Sequence, residues 1–156
     1  MAPVPGLMLA LEPADSETSL ELQQAFFAEI RSRYPEWEPA ASGPAEPADL
    51  APPHGAWLVA HLDGRPVGCG GLKRLDDDIV EVRRVFIART ARGLGIGRLL
   101  LQELEERARG LGYRRVRLTT GDSQPEALGL FQAAGYREVP RFNDNRFTRH
   151  WMEKAL

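Results

Sequence analysis

The stretch "VEVRRVFIARTARGLGIGRLLLQELEERARGLGYRRVRL", residues 80–118, decides the fold of this chain. Ile79, Val80 and Val82, then Val85 and Ile87, read as a strand, with its facing unsettled in the middle. Leu99, Leu100, Leu104, Ala108 and Leu111 then recur at helical spacing, with Glu103, Glu105, Glu106, Arg107 and Arg109 along the other side. Gly110 and Gly112 suit a helix stop. Arg114 to Thr120 alternates again, with Val116 and Leu118 on one face. The order is strand, glycine-rich loop, amphipathic helix, strand.

Upstream, Leu7–Leu11 reads as a strand. Asp15-Ser16 with Thr18 and Glu21 supplies helix-start chemistry for a helix over about 17–33, ended before Pro35. Residues 35–53 carry six prolines among small residues, so they read either as a floppy insertion or as a loop bordering a substrate site. Ala56–His61 and Val67–Leu75 flank Asp63-Gly64, a strong hairpin signal. Asp76 to Asp78 makes a second turn, and three strands thus meander into the glycine-rich stretch. Downstream, a helix is expected over 125–134, and short strands over 136–139 and 147–152. A mixed sheet covered by helices follows, α/β or α+β by class, in one domain over 1–156.

Composition narrows the function. The chain has 156 residues, 43% hydrophobic and 27% charged, with a net charge of −2. That balance argues against an electrostatically driven nucleic-acid binder. No apolar run reaches bilayer-spanning length, and no positive region followed by an apolar core opens the chain, so neither a membrane span nor a secretory leader is expected. The single cysteine, Cys69, rules out an internal disulfide and fits a reducing, cytoplasmic setting. A soluble monomer or small oligomer, a homodimer included, is the default. His54, His61 and His150 lack metal-ligand spacing, so no metal is expected.

Gly93, Gly95 and Gly97 lie between a strand and the first turn of a helix. Backbone N–H groups there lack internal partners and, with the helix dipole, form an anion site. The loop therefore suits a phosphate or pyrophosphate. It is not a P-loop, because Arg98-Leu99 follows Gly97 where Lys-Ser/Thr is required. It is not a dinucleotide fingerprint, because Arg98 and Leu100 stand where the third glycine belongs.

The pattern Arg92-x-x-Gly95-x-Gly97, set between these elements, resembles the acetyl-coenzyme-A signature of the GNAT superfamily of N-acyltransferases. "ALGLFQAAGYREV", residues 127–139, is similar to the family's next helix and strand, and the likeness covers roughly residues 55 to 155. The resemblance implies a mostly antiparallel central sheet flanked by helices, whose fourth and fifth strands splay to admit the cofactor. It implies that Arg92, Gly93, Leu94, Gly95, Ile96, Gly97 and Arg98 hold the pyrophosphate through backbone N–H groups, with Arg89, Arg92 and Arg98 adding positive charge. Val85, Phe86 and Ile87 would pair with the pantetheine arm, and an N–H near Val85 would stabilise the thioester oxyanion. Gln124 corresponds to an asparagine often found at the cofactor.

An amine must lose a proton to attack. Glu81 stands where several such enzymes keep a strand carboxylate as general base, and that role is favoured over the alternative, a solvent-facing strand residue beside Arg83. Phe131 occupies the family's usual tyrosine position and has no proton to give. Two functions follow. The first is transfer of acetyl from acetyl-CoA to a primary amine, small-molecule or peptide, by direct attack. The second is a non-catalytic module that binds coenzyme A or acyl-CoA. Cys69 has no histidine nearby in sequence and reads as packing, and residues 141–151 read either as an acceptor-site segment or as a turn.

Overall fold

The computed structural model describes residues 3–156. A seven-stranded sheet has the order β1-β2-β3-β4-β5-β7-β6. Its strands are β1 (Leu7–Leu11), β2 (Ala56–Leu62), β3 (Arg65–Arg74), β4 (Ile79–Ile87), β5 (Arg115–Thr120), β6 (Arg137–Glu138) and β7 (His150–Ala155). The helices are α1 (Glu17–Arg33), α2 (Ile96–Gly110) and α3 (Pro125–Ala133). Every pairing is antiparallel except β4 with β5.

Alternation sorts side chains onto two faces. Leu58, Leu72, Val80, Val82, Val116 and Leu118 pack with Leu100, Leu104 and Ala108 of α2 and with Phe131 of α3. On the other face Trp57, Val59, Cys69 and Phe86 meet Leu22 and Phe26 of α1. Ser16 caps α1, its Oγ accepting from the Ser19 N–H at 3.1 Å, and Trp57 Nε1 donates to Ser19 Oγ at 3.0 Å. Asp63 and Gly64 both take left-handed φ, +52° and +81°, as the β2–β3 hairpin requires.

The proline-rich segment is ordered. It forms two 3₁₀ turns, Pro39–Ser42 and Pro47–Leu50, anchored by buried Trp37 and Leu50. Carbonyls of Gly43 and Pro44 accept from Arg83 and Lys73, which fastens the segment over β3 and β4.

The last strand begins later than the expected 147–152. Asn143 Oδ1 accepts the Asn145 N–H at 3.2 Å, and Asn145 Oδ1 accepts the Phe147 N–H at 3.0 Å. These side chains bond backbone that a strand would need, so the ladder starts at His150. The preceding strand is likewise reduced to Arg137–Glu138.

Candidate functional site

β4 carries the feature that organises the site. Cys69 pairs with Phe86 and Gly71 with Arg83, so Gly70 alone faces both Arg84 and Val85. Two residues opposite one make a β-bulge. Arg84 takes φ +58°, left-handed and uncommon for a residue with a side chain. Before the bulge, Glu81 and Arg83 share the α1 face while Val80 and Val82 face α2. After it the phase is shifted: Phe86 faces α1 and Val85 packs on the α2 side.

β4 and β5 pair only over Ile79–Glu81 and Arg115–Arg117. Beyond Glu81 the strands separate, and β4 is left with one unpaired edge. The Ile87 carbonyl on that edge accepts from Arg92 Nε at 2.8 Å. A cleft of about 320 Å³ opens here. Val85, Phe86 and Ile87 form one wall; Arg92, Gly93, Gly95, Ile96 and Gly97 form the floor; Gln124, Leu130 and Phe131 close it from α3.

Among the described residues, no hydrogen-bond acceptor serves the N–H groups of Gly93 through Arg98, and the first bond of α2 runs from Leu99 N–H to the Gly95 carbonyl at 3.2 Å. Six consecutive donors are therefore free at a helix N-terminus, a strong anion cradle. The glycines divide the work. Gly93 and Gly95 take φ of +80° and +88°, where a side chain would be strained. Gly97 has an ordinary φ, and a Cβ there would come no nearer than 3.4 Å to Leu130. Its lack of a side chain keeps the cleft floor open rather than relieving the backbone.

The sequence-predicted cofactor residues are mostly brought together. Leu94 and Arg98 do not line the cleft. Leu94 is exposed, and Arg98 points toward a cavity shared with Glu105 and Lys154, its Nε buried without a partner. Arg92 lines the cleft, yet its Nη2 is engaged by Glu29 Oε2 of α1 at 2.7 Å. Arg89 does not line it.

A second, smaller cavity of about 90 Å³ adjoins the cleft and shares Phe26, Ile30 and Gln124 with it. Its walls come from α1 (Phe27, Tyr34), the proline-rich segment (Trp37, Ser42), β4 (Arg83, Arg84), β5 (Thr120) and the turn before β7 (Asn145, Phe147). Part of the 141–151 segment thus reaches the site, while Asn143 and Asp144 do not. Asn145 belongs to the segment that the sequence offered as a possible acceptor-site lining, whereas Tyr34 and Trp37 escaped the sequence reading, having no local motif. A cluster of aromatic residues near the end of a helix was the only available hint.

Glu81 is brought to the splay point but does not line either cavity. It is 5% exposed, and its Oε1 accepts from Arg83 Nη1 at 3.1 Å. Burial raises its pKa above the ordinary carboxylate value, and the Arg83 charge partly offsets that. Cys69 is buried, and desolvation pushes its thiol pKa up to about 12, which leaves it un-ionised at neutral pH. Tyr136 donates to Glu105 Oε2 at 2.8 Å in the core, and burial raises its pKa further. Neither is equipped as a nucleophile or acid. Asp76 Oδ1 accepts from the N–H groups of Asp78 and Ile79, both at 2.8 Å, so the acidic run builds a turn. Among the described residues no group of three metal-ligating side chains gathers.

Comparison with known proteins agrees with this geometry. Residues 19–136 match the Acetyltransferase (GNAT) family. An IAA acetyltransferase of Azospirillum brasilense is 38% identical over 90 residues, covering 57% of this chain and 59% of its own length. The N-alpha-acetyltransferase RimI of Mycobacterium tuberculosis is 34% identical over 134 residues, covering 83% of this chain and 77% of its own. The matches span from 43% to 77% of the lengths of the curated relatives. A GNAT family acetyltransferase of Elizabethkingia anophelis, solved with acetyl-CoA bound, shares the fold with a TM-score of 0.69 at 18% identity, over 98% of this chain and 100% of that one. With a splayed sheet, a free helix N-terminus at the splay, and a family match over most of its length, this chain belongs to the GNAT acetyltransferase family.

Proposed function

We propose that the chain transfers an acetyl group from acetyl-CoA to a primary amine by direct attack, with no covalent enzyme intermediate. The observation that carries this reading is the run of six free N–H groups, Gly93 to Arg98, at the floor of a cleft that opens into a second cavity. The N–H groups hold the pyrophosphate. The unpaired edge of β4 at Val85, Phe86 and Ile87 hydrogen-bonds the pantetheine arm as an added strand. An N–H near Val85, turned by the bulge, stabilises the oxyanion as the amine nitrogen bonds to the carbonyl carbon. Gln124, at the junction of the two cavities, lies against the reacting end.

Glu81 accepts the proton that the amine releases. The proton reaches it through water, because only its partner Arg83 faces the cavity. The carbon–sulfur bond then breaks and coenzyme A leaves as thiolate, since Phe131 at the cleft wall offers no proton. A buried, protonated Cys69 supports direct attack over an acyl-enzyme. The single cysteine suits work in the cytoplasm, and the acceptor is a small-molecule or peptide amine.

The test is thiol release from acetyl-CoA against a broad panel of amines and peptides, with calorimetric acetyl-CoA binding on the same sample. Turnover is expected. Phe131 favours a second reading, a coenzyme-A-binding module without turnover; tight binding with no release across the panel would select it. No binding would remove the role given to residues 92–98.

A further inference from the structure

The lining of the second cavity contains two guanidinium groups and no carboxylate. Arg83 is neutralised from beneath by Glu81 and donates a second bond to the Gly43 carbonyl at 3.1 Å. Arg84 is different. It donates to the neutral amide oxygen of Gln23 at 2.6 Å and lies over the Phe27 ring at 5.1 Å. Among the described residues no carboxylate forms an ion pair with it; Glu46 acts only at longer range. Gln23 is itself fixed, donating to the Ala14 carbonyl at 2.7 Å and the Ser19 carbonyl at 3.1 Å. So Arg84 is held in place by neutral groups and left half-buried with a surplus charge. An arginine remains protonated there, and a half-buried cation without a counter-ion is costly unless a ligand supplies one.

The bulge is what brings both arginines to one cavity, because plain alternation sends neighbours to opposite faces. A third polar group faces the same space. Thr120 Oγ1 is buried and has no hydrogen-bond partner. Around these sit Phe26, Phe27, Tyr34, Trp37 and Phe147.

From this we infer that the second cavity selects a small amine that also carries a carboxylate, an amino acid in the broad sense, with Arg84 as its counter-ion and Thr120 as a second donor. The inference rests on the acyltransfer reading for the amine's fate, but not for the binding of the anion. A polyamine is the wrong charge for this space. The same positive surplus favours the neutral form of an amine held near it, which is the form that attacks.

The test compares L-α-amino acids and short ω-amino acids with their carboxamides as acceptors, read by thiol release. In parallel, N-acetylated acids and N-acetylated amides are titrated calorimetrically in the presence of coenzyme A. The expected result is that acids exceed amides in kcat/KM by roughly 10–100-fold, the worth of one charge-assisted hydrogen bond. The α-amides have the less basic amines, so protonation biases the α-amino acid comparison against that result. Arg84→Gln should bring acids and amides together, and Arg84→Lys should recover part of the difference. Amides accepted as well as acids would overturn the inference and leave the acyltransfer reading standing. Absent turnover, tighter binding of N-acetylated acids than of their amides would keep the anion site and sink the enzyme reading. Equal binding would sink the anion site. The comparison on the native protein needs no variant to fold.

Discussion

Arg83 sets its Nη1 3.1 Å from Glu81 Oε1, two residues back on the same strand, with one partner facing the second cavity and the other sealed behind it. On the proposed mechanism the pair lets Glu81 act as a base at one remove. Glu81→Gln keeps the hydrogen bond to Arg83 and removes the proton acceptor. Turnover should fall by roughly 100-fold, the usual range for general-base catalysis, with acetyl-CoA affinity unchanged. In the native protein the rate should rise with pH through the raised pKa of Glu81, and that limb should vanish in the variant. A pH–rate profile of both proteins checks this; unchanged turnover removes Glu81 from the mechanism.

Gly97 separates binding from folding. A Cβ there meets only ordinary van der Waals neighbours, Leu130 at 3.4 Å and Ile87 at 3.7 Å, and a carboxylate in the first turn of α2 favours the helix dipole. Gly97→Asp should therefore leave the Tm level or raised, while its charge opposes the pyrophosphate. Acetyl-CoA affinity should drop by roughly 100-fold, close to 3 kcal/mol. Retained affinity in a calorimetric titration would show that the pyrophosphate lies elsewhere.

Phe131 lines the cleft and packs 6.1 Å from the Tyr136 ring. Phe131→Tyr adds a hydroxyl at the position where the resemblance implies a proton donor. If protonation of the leaving thiolate limits the native rate, kcat should rise by about tenfold, at the low end of acid catalysis because a thiolate is already a fair leaving group. An unchanged kcat means that sulfur departs unassisted.

His150 of β7 joins Glu138 of β6 at 2.5 Å and Asp122 of the loop after β5 at 3.0 Å. The Glu138 hydrogen bond leads in raising its pKa, with Asp122 adding and burial opposing. A raised histidine stabilises the fold in full below its unfolded value, about 6.5, and loses that contribution as pH rises through the folded value. The group is partly solvated, so the effect is modest. His150→Gln should lower Tm by roughly 2 °C more at pH 6 than at pH 8.5. An equal loss at both pH values would mean that packing, not charge, holds the strand.

Much of this was legible in local sequence. Ser16, the Asp63-Gly64 hairpin and the α2 stripe each specify backbone through near neighbours, and each element lies where its pattern put it. The bulge also left a trace: the apolar period of two in β4 slips to three between Val82 and Val85. What the trace did not give was direction, because φ at Arg84 depends on what Gly70 faces across the ladder. The second cavity was within reach only through the 141–151 segment, for a related reason. Tyr34, Trp37, Thr120 and Asn145 come from four separated segments, and their meeting is a property of the assembled sheet. The last strand was misplaced because side-chain amides at Asn143 and Asn145 outcompeted the ladder.

The extra residue at Arg84 divides one strand into two independently editable halves. On the proposed reading, upstream side chains change which acceptor is taken, while the downstream edge of β4 offers main-chain groups that any residue except proline supplies. In this chain, point changes at Arg83 and Arg84 would alter the second cavity without disturbing the backbone edge downstream. Deletions are another matter: losing Arg84 would close the bulge, leave Phe86 opposite Cys69 and Val85 alone opposite Gly70, and remove the one position that brings a second arginine to the cavity.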